Sequence, residues 1–167
     1  VSPTAGKIFF RYKFNSLNLI IFYQRSESLK NPRSLLVSHG CSLGAYHAVN
    51  IALRHPQLFG KVLALSGRYD LTTRCGDFRD LFDGYVDQTI YFHMPLMYLP
   101  NITDKESLNS LRRLKITLVV GDQDPFLESN RQLSWVLHEK DISHSLHLWP
   151  GRAHRADYWT KMIHLYL

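Results

Sequence analysis

Gly40-Cys41-Ser42-Leu43-Gly44 sets a serine between two glycines, behind an apolar run and ahead of a stretch with helical spacing. A serine hydroxyl is a poor nucleophile near neutral pH, and the G-x-S-x-G pattern is one way of presenting it for covalent attack. Glycine on either side lets the flanking backbones approach without a Cβ clash, so the serine can stand on a tight strand-to-helix turn. The helix that follows offers its positive N-terminal end, and the Leu43 backbone N–H is the expected donor to a developing oxyanion. The plainer alternative is a tight turn that happens to contain Ser42.

Such a serine needs a base, and the base needs a third group to orient it. For a serine presented in this way, the acid and then the histidine follow in chain order. Asp124, in Val119-Val120-Gly121-Asp122-Gln123-Asp124-Pro125, is the expected acid, because Pro125 fixes the next turn and can start a helix. Asp122 is the fallback and Asp70 the outside candidate, while simple helix capping is the plain alternative for Asp124. Of nine histidines, His154 is the expected base, since its loop follows the last strand and can return over the serine. His144 and His147 fall within that strand, His47 and His55 on the helix after Ser42, and His39 on the strand side of the motif. His93, His138 and His164 have no matching context. No histidine spacing combines with carboxylates in a zinc pattern, so neither a metal nor a cofactor is expected.

These residues need elements to hold them. From Leu35 onward short apolar runs alternate with amphipathic stretches, the pattern of an α/β protein. Leu35-Leu36-Val37-Ser38, Lys61 to Gly67, Ile116 to Gly121 and Ser143 to Trp149 read as strands. Ala45, Ala48, Val49 and Ala52 give one apolar helical face, Phe126 to Leu137 a second, and Tyr158 to Leu167 closes the chain as a helix. Between Tyr69 and Lys115 lies a segment rich in Phe78, Phe82, Tyr85, Tyr91, Phe92, Met94, Met97 and Tyr98. It reads either as extra helices completing the core or as a cap over an apolar pocket. Residues 1–30 form a poorly defined N-terminal segment holding up to two strands, 8–14 and 17–23, too close together for a helical crossover. Residues 31–167 are expected to form the catalytic domain.

Composition excludes other classes. The chain has 167 residues, 45% hydrophobic and 20% charged, which is globular rather than disordered. No apolar stretch approaches the ~20 residues that span a bilayer, so no membrane association is expected. Twenty Lys and Arg against fourteen Asp and Glu give +6. The basic residues are scattered, without the runs or modules of a nucleic-acid binder, and no nucleic-acid partner is expected. Cys41 and Cys75 are too few for a disulfide scaffold, and no signal peptide is visible, so a cytoplasmic setting is the default expectation.

Gly40 to Ala48, then Ala52-Leu53-Arg54-His55-Pro56, then Leu65-Ser66-Gly67, resemble the putative-esterase branch of the α/β-hydrolases. That branch includes enterochelin esterase-like proteins and, more distantly, S-formylglutathione hydrolase and the mycolyltransferases. The likeness continues through Val119 to Phe126 and Trp149 to Trp159, covering roughly 31–167. It implies a Ser42, Asp124 and His154 triad acting through an acyl-enzyme on a small-molecule carboxylic ester. An acyltransferase would use the same triad. A non-catalytic binding protein or inactive fragment of the same fold is the alternative from another class. The departure is upstream: only about forty residues precede Ser42, with no HGGG-like segment to supply a second oxyanion donor. The chain therefore reads as a truncated or diverged member, with a reduced, mostly parallel sheet of five or six strands flanked by helices. One long sheet edge is expected to be paired in a homodimer or left prone to aggregation.

Overall fold

The computed structural model describes the backbone of residues 8–14 and 17–23 and all of residues 36–167. The expected boundary near residue 30, and Leu35 at the head of its apolar run, lie outside the described residues. Among the described residues six strands form one sheet: β1 (Ile8–Phe14), β2 (Leu17–Tyr23), β3 (Leu36–Cys41), β4 (Phe59–Leu65), β5 (Lys115–Gly121) and β6 (His144–Trp149). Their order in the sheet is their order in the chain. β1 pairs antiparallel with β2 from Phe14↔Leu17 to Ile8↔Tyr23, and β2 pairs antiparallel with β3. β3 to β6 are parallel throughout. The sheet is thus the reduced, mostly parallel one expected, and β1 and β2 are antiparallel neighbours, as a separation too short for a helical crossover requires.

The helices are α1 (Leu43–Arg54), α2 (Gln88–Tyr91), α3 (Pro95–Tyr98), α4 (Lys105–Leu111), α5 (Leu127–Glu139) and α6 (Ala156–Tyr166), with a 3₁₀ turn at Leu99–Asn101. Side chains alternate across a strand, so β4 feeds two cores. Val62 and Ala64 pack with Val49 and Ala52 of α1 and with Leu133 and Leu137 of α5. Leu63 and Leu65 face the other way, toward Met162 of α6 and Ala153. The result is a three-layer sandwich with helices on both faces. No helix among the described residues is long and apolar enough to cross a membrane.

The segment between β4 and β5 divides. Met94 and Tyr98 are buried and Leu99 joins the main core, whereas Tyr85 and Phe92 lie on the surface, 64% and 55% exposed. It is partly core and partly surface, so neither reading of its aromatic content covers the whole.

β3 carries a buried imidazole. His39 is 2% exposed, and burial pushes its pKa from 6.5 down to about 4. The folded chain therefore keeps His39 neutral where the unfolded chain would protonate it. Stability is expected to be intact above pH 6.5 and to fall as pH drops from 6.5 to about 4. At ~1.4 kcal/mol per pKa unit the loss from this group approaches about 3 kcal/mol. Urea unfolding across that range checks it: His39→Gln should flatten the acid limb, and an unchanged slope would exclude His39 as its source.

Candidate active site

Ser42 is the single residue between the end of β3 and the start of α1. Its backbone sits at φ 55° and ψ −122°, a conformation that costs a side-chain-bearing residue ~1–3 kcal/mol. The surroundings hold it there. Ser42 N–H donates to the Leu65 carbonyl at 2.8 Å, and the Ser42 carbonyl accepts from Ala45 and Tyr46 N–H at 3.0 and 3.3 Å. The motif's first glycine is required by packing, since a Cβ on Gly40 would lie 2.2 Å from the Gly44 carbonyl oxygen. Leu43 opens α1, directly after Ser42, and the first N–H groups of a helix have no partner within it.

The acid and the histidine come from the ends of β5 and β6, whose following loops are locked together. Gly121 ends β5 so close to the next loop that a Cβ there would lie 2.3 Å from the Gly151 carbonyl oxygen and 2.5 Å from that of Arg152. Gly151 N–H donates to Asp122 Oδ1 at 2.7 Å, and Asp122 N–H donates to the Trp149 carbonyl at 2.8 Å. Asp122, the fallback acid, therefore pins the loop that carries His154 and leaves the imidazole to Asp124.

The structure brings Ser42, His154 and Asp124 into one hydrogen-bonded chain. His154 Nε2 lies 3.1 Å from Ser42 Oγ, and His154 Nδ1 lies 3.1 Å from Asp124 Oδ2 and 3.3 Å from Oδ1. Asp124 Oδ1 also accepts the Phe126 N–H at 2.9 Å, which fixes the carboxylate just ahead of α5. The Asp124 side chain is 0% exposed and that of His154 14%. A carboxylate accepts only, so Nδ1–H donates to it, which leaves the Nε2 lone pair facing the serine hydroxyl.

Three rings enclose the imidazole. Phe126 and Trp159 meet it edge-on with centroids at 5.2 and 5.1 Å, and Phe78 stands at 6.2 Å. In the sequence Phe78 falls in the segment read as extra core or as a cap over an apolar pocket, while Phe126 and Trp159 carry no assignment to the site. Burial also pushes the Cys41 thiol up to about 12, so the cysteine beside Ser42 stays protonated and unreactive.

The other candidates are engaged elsewhere. Asp70 Oδ1 accepts from Thr72 N–H and Oγ1 at 2.8 and 2.6 Å, a local turn. His144 lies between the Ile142 carbonyl and Ser134 Oγ, both at 2.9 Å. His147 packs on Tyr166, and His93 sits against the Thr89 carbonyl.

A mostly parallel sheet with helices on both faces, a strained serine turn between strand and helix, and an acid and a histidine beyond later strands define the α/β-hydrolase class. Within it, the family model described as "Putative esterase" matches residues 25–163. The chain belongs to this esterase family. Among solved structures it is similar to a ferulic acid esterase, with 20% identity and a TM-score of 0.62 over 77% of this chain and 48% of that one. It is also similar to the fluorophosphonate-binding serine hydrolase F of Staphylococcus aureus, at 22% identity and a TM-score of 0.59 over 76% and 50%. An S-formylglutathione hydrolase from Agrobacterium tumefaciens matches at 19% identity and a TM-score of 0.58 over 76% and 46%. The chain spans about half the length of these structures. Among curated proteins no sequence matches this chain.

Proposed function

We propose that the protein hydrolyses a small-molecule carboxylic ester through an acyl-enzyme on Ser42. The observation that carries this reading is the unbroken hydrogen-bonded chain from Asp124 through His154 to Ser42 Oγ. Ser42 Oγ attacks the ester carbonyl carbon while His154 Nε2 takes the hydroxyl proton. Negative charge collects on the former carbonyl oxygen, within reach of the Leu43 N–H at the start of α1. As the tetrahedral intermediate collapses, the C–O bond to the alcohol breaks and His154 returns the proton to the leaving oxygen. Water, deprotonated by His154, then attacks the acyl-serine and releases the carboxylic acid. Asp124 holds the imidazole in the reactive tautomer and stabilises the imidazolium without taking its proton.

A fluorophosphonate probe tests the activated serine directly. The intact chain is expected to gain one phosphonyl adduct on Ser42 by peptide mass spectrometry and to lose p-nitrophenyl acetate hydrolysis in proportion. An unlabelled Ser42 in folded protein would exclude the nucleophile, and labelling without turnover would favour a binding protein with a vestigial site.

A further inference from the structure

We propose that Arg68 is a positioning residue for this reaction, holding residues 70–80 as a fixed cover over the Asp124–His154 hydrogen bond. The proposal rests on the esterase reading above. Arg68 follows β4 by three residues and is only 5% exposed. It makes no ion pair among the described residues. A buried guanidinium is costly unless its donors are met. Here two of its nitrogens are held by the backbone of one segment: Nε donates to the Asp70 carbonyl at 3.2 Å, and Nη2 donates to the carbonyls of Arg79, at 2.9 Å, and Thr73. A lysine ammonium cannot reproduce that fork.

The segment so gripped is closed on itself and faces the site. Cys75 and Phe78 exchange both backbone hydrogen bonds at 2.9 Å, around Gly76 at φ 56°. Leu81 N–H donates to the Leu71 carbonyl at 3.0 Å and shuts the loop behind them. From this turn, Cys75 Sγ donates to the Pro125 carbonyl at 2.9 Å, directly beside Asp124. The Phe78 ring lies 4.7 Å from Phe126 and 6.2 Å from the His154 ring. Asp124 lies in a loop just past a strand end, where a carboxylate would ordinarily be wet, yet its side chain is fully buried. Keeping water off the pair strengthens the Asp124–His154 hydrogen bond and fixes the imidazole on Ser42.

The test uses the full chain with Arg68→Met, Arg68→Lys and Phe78→Ala. Two quantities are read: kcat against KM for p-nitrophenyl acetate, and exchange of the His154 Nδ1 proton with water by NMR. Arg68→Met should lower kcat by ~10–100-fold, the scale of a small misplacement of catalytic groups. KM should change little and the Nδ1 proton should exchange faster, with Arg68→Lys only partly restoring both. Phe78→Ala leaves the Arg68 bonds intact, so it should stay folded while kcat falls several-fold and the proton exchanges faster. A folded Arg68→Met enzyme with unchanged kcat and a protected proton would overturn the proposal. Should Arg68→Met fail to fold, Phe78→Ala with unchanged kcat and exchange would do the same. Failure of wild-type Ser42 to react with the fluorophosphonate would instead sink the esterase reading, and proton exchange would still report on the cover.

Discussion

Replacing Ser42 with alanine is expected to lower kcat for p-nitrophenyl acetate by on the order of 10⁵–10⁶, the scale seen when a triad nucleophile is removed. No other described hydroxyl bonds to His154 Nε2, and half-buried Cys41 is held protonated with a pKa of about 12, so nothing replaces the lost oxygen. The fold should be indifferent, because alanine carries the same Cβ into the same conformation at φ 55°. Ser42→Gly separates strain from chemistry. Glycine relieves the ~1–3 kcal/mol of backbone strain. It gives back up to ~1 kcal/mol through the greater entropy of the unfolded chain. The inactive Ser42→Gly protein should therefore be more stable than wild type by about 1 kcal/mol, roughly 2–4 °C in Tm for a chain of this size. Calorimetry of the two variants checks this. A Ser42→Gly variant less stable than Ser42→Ala by about 1 kcal/mol would mean the turn holds no strain, and surviving turnover in Ser42→Ala would mean the serine is not the nucleophile.

The second large effect is expected from Asp124→Asn, which should lower kcat by ~10⁴ with KM little changed. Asp124 Oδ1 accepts the Phe126 N–H at 2.9 Å, and an asparagine oxygen can keep that bond. Its amide nitrogen then replaces Oδ2, 3.1 Å from His154 Nδ1, and presents a donor where an acceptor stood. The imidazole must answer with a lone pair on Nδ1, which moves its proton to Nε2 and points it at Ser42. A protonated Nε2 cannot take the serine proton. Asp122→Asn is the control: its oxygen can still accept the Gly151 N–H, so turnover should stay within a few-fold of wild type. The reverse ranking of the two variants would transfer the acid role to Asp122.

The sheet and the site were legible in the sequence to different depths. Ser42, Asp124 and His154 could be found because each lies just past an apolar run, where an α/β sheet presents its functional ends. Choosing between Asp122 and Asp124 was harder, since both follow the same strand and differ only in which neighbouring loop they meet. That difference is set by Gly121, whose missing Cβ lets the Gly151-Arg152 backbone close on β5. The division of the segment after β4 was hidden as well. Helices of four residues, such as α2 and α3, are too short to show a helical period, so buried Met94 and exposed Phe92 read alike. Arg68 gave no signal at all. Its hydrogen bonds go to backbone carbonyls up to eleven residues away, and carbonyls leave no mark in a sequence.

Strand order in the sheet repeats strand order in the chain, and this orders the protein's assembly in time. As the polypeptide leaves the ribosome, each strand from β2 onward meets a neighbour already made, with no gap held open for a later arrival. Pairings between sequence neighbours keep loop closures short, which favours rapid folding. The Ser42 turn needs only β3, α1 and the Leu65 carbonyl at the end of β4. His154, its proposed base, lies 112 residues further on, beyond β6. A nascent chain therefore carries Ser42 through the synthesis of the next 112 residues without His154, and the bond between them forms only when the loop after β6 docks.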